Sequence, residues 1–545
     1  MKKHLPLIFI LLLAAVLRFY QLGRLPQSLN IDELGFAYNA YSVMTTGHDE
    51  WGNPFPASFR SLGDFKLPFH GYIMIPSFAL FGFTPFAIRF PVALFSFLTV
   101  ILIYHLTNLL FPLKSKPLPA GRQVLNLTSA LLLALSPWHL FYSRFGYEAI
   151  IQVFFVTLHI YFLLRFIKVP SFRYLLGAFF AALAALLTYH SAKVFLPIFD
   201  LVFILTNHQS FLSLFKKNPR RSFAFFGLCL ATAVIYLLLY MTGPAAERAR
   251  MVFFTLDFDY QRILAPHTGS SLLPDFGPVL MLVLFWWKRL LEYFSPAYFI
   301  GTTLPLTSPT QIGQGIIYPI ELLLLIIGLV YLVKDRRLSQ IILPWWLISL
   351  LPATLANNSQ HTLRNMVGLP ALIIIISLGA YHCLRWFKYK SLLILISLYL
   401  LSLVRFADLY LVHQPQFMSQ YQGFGWQQMA EFVADAGDKY DLIYIDPRVG
   451  ISGPETTTVP YLYFLYYTKV APKDYIFDTR RKIHDSNFGR LRFEQINWFG
   501  SNHSLNNLYI GSPFSFPLKQ IDPEKIRYTV TYPGGQTALY AISDK

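Results

Sequence analysis

The sequence predicts a polytopic α-helical membrane protein with a small C-terminal α/β domain outside the bilayer. Three observations predict it. Of 545 residues, 55% are hydrophobic and 13% charged, with a mean hydropathy of +0.46; a soluble chain this long needs more charge to cover its surface. Apolar runs of about 17–25 residues, the length that crosses hydrocarbon as a helix, recur through the first three quarters of the chain. Beyond position 412 the pattern becomes alternating and aromatic-rich, punctuated by Gly/Pro turns.

The formal net charge is +17, yet residues 413–545 hold 13 Lys+Arg against 13 Asp+Glu, so the whole excess lies in the apolar part. There it falls in short loops between apolar runs, the pattern of cytoplasmic loops rather than of a phosphate-tracking stripe, which argues against a nucleic-acid partner. The two cysteines, Cys229 and Cys383, lie inside apolar runs and are expected to be buried structural thiols. Lys2-Lys3 and the apolar run after it lack a small-x-small cleavage site, so an uncleaved first span is expected.

Basic clusters at Lys2/Lys3, Lys114/Lys116/Arg122, Arg165/Lys168/Arg173, Lys216/Lys217/Arg220/Arg221, Lys334/Arg336/Arg337 and Arg385/Lys388/Lys390 mark the cytoplasmic side. Joining them takes about eleven spans: 5–21, 83–111, 124–140, 149–167, 172–190, 193–206, 222–242, 317–333, 340–356, 366–384 and 391–411. The N-terminus is then cytoplasmic and the C-terminus extracytoplasmic, in a multi-pass protein of the cell membrane. Gly71–Gly82 and 278–292 are expected as outer interfacial helices. The expected domains are a membrane domain, 1–411, with long outer loops at 22–82 and 243–316, and an extracytoplasmic α/β domain, 412–545. In the latter, strands are expected at Leu442–Ile445, Tyr461–Tyr467 and Tyr528–Tyr532, and a helix at Trp426–Ala436.

The polar residues suited to chemistry gather in the outer loops. Asn30-Ile31-Asp32-Glu33 follows the first span, and paired carboxylates at a membrane surface lose hydration and suit a specific role; a solvated pair, or the acidic first turn of a helix, explains them equally well. Gly63-Asp64-Phe65-Lys66-Leu67-Pro68-Phe69-His70 brings Asp64 and a lysine to the interfacial helix, where Lys66 suits a lipid phosphate or simply snorkels. Arg144 and Glu148, four apart, are expected to share a helix face as an ion pair. His190 and Lys193 stand at a tight outer turn, and His361 and Arg364 at a later one. Four outer loops bringing acids and bases to one membrane face suggest one shared site.

The Asp-Glu pair after the first span, the Lys-x-Pro element before an interfacial helix, and Ile88-Arg89-Phe90-Pro91 resemble the family 39 glycosyltransferases, which include the protein O-mannosyltransferases and the bacterial aminoarabinose transferase of lipid A. Ser143-Arg144-Phe145-Gly146-Tyr147-Glu148, Tyr189-His190-Ser191-Ala192-Lys193 and Phe294-Ser295-Pro296 resemble its bacterial members. The similarity covers roughly 1–411; the tail resembles no nameable domain. The resemblance implies a GT-C fold, a polyprenyl-phosphate sugar donor, and inverting transfer to a protein, lipid or glycan acceptor at the outer face. It maps the family's essential loop acid to Asp32, beside Glu33, and its phosphate-contacting lysine to Lys66. The family often has two prolines after that lysine, whereas here the order is Lys66-Leu67-Pro68.

A sugar phosphate already carries a good leaving group, so transfer needs a base for the acceptor hydroxyl and cations for the departing phosphate. Asp32 is the expected base, and Lys66, Lys193 and Arg364 the expected phosphate ligands. Asp64, His190 and His361 are expected to bind substrate, and Arg144 and Glu148 to bind the sugar or serve the structure. No metal ion or other cofactor is expected, and no Gly-rich nucleotide fingerprint is present. An oligosaccharyltransferase-like enzyme would show Trp-Trp-Asp; the double tryptophans here are Trp286-Trp287-Lys288 and Trp345-Trp346-Leu347. A transporter or flippase of lipid-linked glycans would need charges near the bilayer midplane and repeated halves, and Asp200, Glu321 and Asp408 are read as lying towards span ends. A membrane scaffold would leave the outer acid–base clusters unexplained.

Overall fold

The computed structural model describes residues 4–544 apart from 62–63, 112–118, 241–251, 259, 265–276, 302–312, 358–359, 420–422, 451–458, 477–486 and 500–505. Much of the expected outer loop 243–316, together with Gly63, Lys114, Lys116 and Ser359, lies outside the described residues. In chain order the principal elements are α1 (Leu5–Phe19), α2 (Ile31–Thr46), β1 (Phe59–Ser61), β2 (Asp64–Lys66), α3 (Pro68–Phe81), α4 (Pro85–Leu110), α5 (Pro119–Leu135), α6 (Pro137–Ser143), α7 (Ala149–Lys168), α8 (Phe172–Leu186) and α9 (Ala192–Thr206). There follow α10 (His208–Lys217), α11 (Pro219–Tyr240), α12 (Gly277–Glu292), α13 (Pro296–Ile300), α14 (Pro319–Leu332), α15 (Arg336–Ile348) and α16 (Leu369–Asp408). The tail contributes α17 (Trp426–Ala436), β3 (Ile443–Ile445), α18 (Pro460–Tyr467), α19 (Pro472–Ile476), β4 (Leu491–Phe493), β5 (Leu508–Gly511), β6 (Ile526–Thr531) and β7 (Thr537–Ile542).

The protein is a multi-pass helical membrane protein. Among the described residues five helical stretches are long and apolar enough to cross a membrane, two of them (366–386 and 392–418) lying largely within α16, or up to seven if each bent pair counts as one span, and α1, α8 and α14 are shorter apolar helices. The expected turn at Arg385–Lys390 is absent: α16 runs unbroken through it for 40 residues. Residues 381–411 contain neither Gly nor Pro, so a basic cluster marks a change of environment there without ending the helix. Asp200 also departs from expectation, lying in the middle of α9. Cys229 and Cys383 are half-buried and free.

The chain divides into two compact units, 1–20 with 65–69 and 91–407, and 21–64 with 70–90 and 408–545. In the first unit, α5 breaks into α6 with a 53° bend at Ser136-Pro137. Pro137 has no N–H, so Leu133 O, four residues back, loses its helical donor. Arg18 replaces it: its guanidinium donates to Leu133 O (3.3 Å), Ala134 O (3.2 Å) and Ser96 Oγ (2.7 Å), all buried. It also donates to His139 Nδ1 at 2.8 Å, which places the neutral ring's proton on Nε2. In return Arg144, just after α6, donates to Leu17 O and Tyr20 O, both at 2.8 Å, satisfying the C-terminal carbonyls of α1. Elsewhere α14 and α16 touch backbone to backbone, since a Cβ on Gly328 would strike Ile375 O and one on Gly379 would strike Leu324 O; small residues allow such approach between membrane helices.

In the second unit a five-stranded sheet has the order β4-β3-β5-β7-β6. β3 pairs in parallel with β4 and β5, and β7 is antiparallel to β5 and β6. α17 and the strands at 443–445 and 526–531 match expectation, but Tyr461–Tyr467, expected as a strand, is helical in α18. Pro460 sits at its first turn and residues 460–466 are buried all round, so no helical period shows in the sequence. The core of this unit joins α17, α18 and the sheet to Leu34, Phe36 and Tyr38 of α2. Tyr463 Oη donates to Leu29 O at 2.8 Å and Tyr38 Oη to Val470 O at 3.3 Å. The loop after the first span thus folds with the tail.

Candidate functional site

In the second unit the Asn30–Glu33 motif starts α2 as a capping box. Asn30 Oδ1 accepts from the N–H groups of Asp32 and Glu33, both at 2.9 Å, and Glu33 Oε2 accepts from Asn30 N–H at 2.9 Å. Glu33 is fully buried and paired with Arg89 Nε at 2.8 Å. The remaining Arg89 donors reach Leu22 O (3.1 Å), Pro26 O (2.8 Å) and Ser28 O (2.8 Å). One guanidinium therefore clamps the 22–28 segment onto α2, an arrangement suited to its planar fork. Burial raises the pKa of the Tyr463, Tyr466 and Tyr467 phenols, with Glu33 adding to the effect, so they remain neutral donors around the pair. Glu33 thus takes part both in the cap of α2 and in a buried ion pair. Asp32, its neighbour in the first turn, is half-buried. Asp64 lies in β2.

In the first unit, hydrogen bonds gather the loops expected at the outer face. His190 Nε2 bonds Phe65 O at 3.1 Å and Phe69 N–H donates to Leu187 O at 3.1 Å, so the Lys66 segment lies against the His190–Lys193 turn. That turn is tied to the start of α7, where Gln152 donates to Tyr189 O and accepts from Ser191 Oγ, each at 2.7 Å. Glu148 stands at the N-cap of α7, buried. Tyr142 Oη bonds Thr362 Oγ1 at 2.7 Å, joining the 136–148 loop to the 357–365 loop. His361 N–H donates to Tyr293 Oη at 3.0 Å, and Asn365 to Tyr298 Oη at 2.6 Å, which brings in the Phe294-Ser295-Pro296 segment.

Individual side chains follow varied paths. Lys66 is buried, and the Lys193 ammonium lies 5.7 Å from the Tyr236 ring centroid. Arg364 donates to the Asn357 carbonyl and side chain, closing its own loop. Arg144 and Glu148 do not share a helix face: residues 144–146 form a turn between α6 and α7, and Arg144 donates to carbonyls of α1. Arg89 belongs to the Ile88–Pro91 motif, but nothing in the sequence links it to Glu33, 56 positions away. His159, buried in α7, carries no sequence signal of its role; its ring bonds Ala178 O and Asp200 Oδ1, both at 2.8 Å, tying α7 to α8 and α9. Among the described residues no group of three or more His, Cys, Asp or Glu is placed to hold a metal ion.

No curated protein sequence matches the chain. Among solved structures, the oligosaccharyltransferase AglB of Archaeoglobus fulgidus, in complex with an inhibitory peptide and a dolichol-phosphate, aligns at 12% identity over 87% of this chain and 64% of its own, with a TM-score of 0.46. The chain thus spans less than two thirds of that protein. ArnT of Cupriavidus metallidurans bound to undecaprenyl phosphate aligns at 12% identity over 98% of this chain and 97% of its own, with a TM-score of 0.36. A family model described as dolichyl-phosphate-mannose-protein mannosyltransferase matches residues 66–241, a stretch containing Lys66, Arg144, Glu148, His190 and Lys193. By sequence, then, residues 66–241 of this chain are matched by the dolichyl-phosphate-mannose-protein mannosyltransferase family.

Proposed function

We propose that the protein is an integral-membrane glycosyltransferase that moves a sugar from a polyprenyl-phosphate carrier to an acceptor hydroxyl on the extracytoplasmic side, with inversion. The observation that carries this reading is the coincidence of the family match over 66–241 with the loops that hydrogen bonds gather at one end of the first unit. Lys66 and Lys193 lie in that stretch and supply positive charge for a departing phosphate; Arg364 adds charge from the loop bonded to Tyr142.

Asp32 is the proposed general base. It occupies the first turn of a capped helix whose neighbouring acid, Glu33, is held by Arg89, so the two adjacent carboxylates divide the work: one anchors, one reacts. Glu33 orients its neighbour, and His190, His361, Arg144 and Glu148 support the loops that carry the cations. The sugar, the acceptor class and the inverting course belong to the same proposal. The test is transfer by purified protein from a polyprenyl-phosphate sugar compared with a nucleotide sugar. Transfer from the lipid carrier alone supports the reading; efficient transfer from the nucleotide sugar without lipid overturns it.

A further inference from the structure

At the end of the first unit opposite the gathered loops, four helix ends surround a small open cleft whose empty space, counted together with the solvent at its mouth, is about 450 Å³. Its walls come from the last turns of α4 and α7, the residue after α9 and the first turns of α15, contributing Leu109, Lys168, Asn207, Arg337, Gln340 and Ile341 among others. The four ends come from loops that the charge pattern assigns to one side of the membrane, and the pocket brings them together. Its lining includes two cations and two amides, with no acid among the described residues, set between leucine and isoleucine side chains. The nearest acid in sequence, Asp335, accepts from the N–H groups of Arg337 and Leu338 and so caps α15. Arg337 and Gln340 are exposed at the mouth. Lys168 Nζ donates to Leu109 O at 2.6 Å, which fixes the ammonium at the rim between α4 and α7.

We infer that this pocket is a binding site for the phosphate of an anionic membrane lipid, distinct from the proposed transfer site. The aliphatic part of the lining favours a lipid over a free anion. The pocket lies where apolar helices end, so its occupant's phosphate meets Lys168 and Arg337 while its glycerol and first methylenes meet the aliphatic wall. Arg337 offers a planar fork for phosphate oxygens, and Gln340 offers an amide donor for ester or glycerol oxygens. Basic residues near a membrane surface each strengthen attraction to anionic lipid by roughly fivefold.

The test uses the full chain in detergent, titrated with phosphatidylglycerol, phosphatidylcholine or inorganic phosphate, with thermal midpoint and native mass spectrometry as readouts. Phosphatidylglycerol should raise the midpoint and remain bound, and phosphatidylcholine should do neither. R337A should weaken the response roughly fivefold. Q340E, which places a carboxylate at the mouth without removing any contact that holds the helices, should do the same. A paired substitution in another basic cluster, K216A with K217A, should leave it intact. An unchanged phosphatidylglycerol response in both R337A and Q340E would overturn the assignment, as would equal protection by inorganic phosphate alone. Neither readout depends on sugar transfer, so the outcome is independent of the proposed activity.

Discussion

Glu33 and Arg89, 56 positions apart, form a fully buried ion pair at 2.8 Å whose carboxylate also closes the capping box of α2. Removing one partner of such a pair strands the other charge out of water, which typically costs about 3–5 kcal/mol. Arg89→Ala should therefore lower the thermal midpoint sharply, and Arg89→Lys should recover little, because an ammonium cannot also reach Leu22 O, Pro26 O and Ser28 O. Thermal unfolding of the purified variants checks this; an unchanged midpoint in Arg89→Ala would contradict it.

The Arg18 guanidinium fills the hydrogen-bonding gap that Pro137 opens in α5. Arg18→Gln should destabilise the protein by a few kcal/mol, since buried carbonyls lose their donors. Pro137→Ala returns an N–H to Leu133 O, so the double variant should lose less than the two single losses added together. A double-mutant cycle on thermal stability measures the coupling, and strict additivity would show that the two devices are unrelated.

Where α14 crosses α16, the backbones meet at Gly328 and Gly379. Gly379→Leu must push the helices apart, and overpacking of this kind costs about 1–3 kcal/mol or more. A Cβ at Gly227, by contrast, would meet only open space, so Gly227→Leu should be nearly silent. The pair of variants, compared by detergent-solubilised yield and thermal midpoint, separates helix contact from a general dislike of bulk.

Composition and loop charge make the helical membrane fold legible, and α17 is legible to its boundaries because one of its faces is buried and the other exposed. α18 is not, because burial on every side erases periodicity and leaves only aromatic content, which favours a strand. The polar loops expected at the outer face are legible as a group, since charges seldom sit beside hydrocarbon without a role. Their division of labour is not. That Arg144 serves α1 and Glu33 serves Arg89 depends on partners more than 50 positions away, which spacing along the chain cannot reveal.

The basic loops predict an extracytoplasmic C-terminus and a cytoplasmic loop around Lys217. A reporter active only outside the cytoplasm should work when fused after Lys545 and fail when inserted near Lys217. The continuous α16 makes this measurement informative, because the turn expected at Arg385–Lys390 is a helix. Cytoplasmic activity of the C-terminal fusion would reverse the side on which the tail lies.

The role of Asp32 is the centre of the proposed activity. Asp32→Asn keeps the side chain's size and the backbone cap of α2, whose acceptors belong to Asn30 and Glu33, but cannot take up a proton. Loss of a positioned base typically lowers rate about 10²–10⁴-fold. The measurement is turnover of a polyprenyl-phosphate sugar by Asp32→Asn, with donor affinity and thermal midpoint recorded on the same preparation. Turnover should fall by that factor with affinity and midpoint near wild type, whereas Lys66→Ala should weaken donor affinity. Turnover close to wild type in Asp32→Asn would contradict the account and leave Asp32 as an acid in the first turn of a helix.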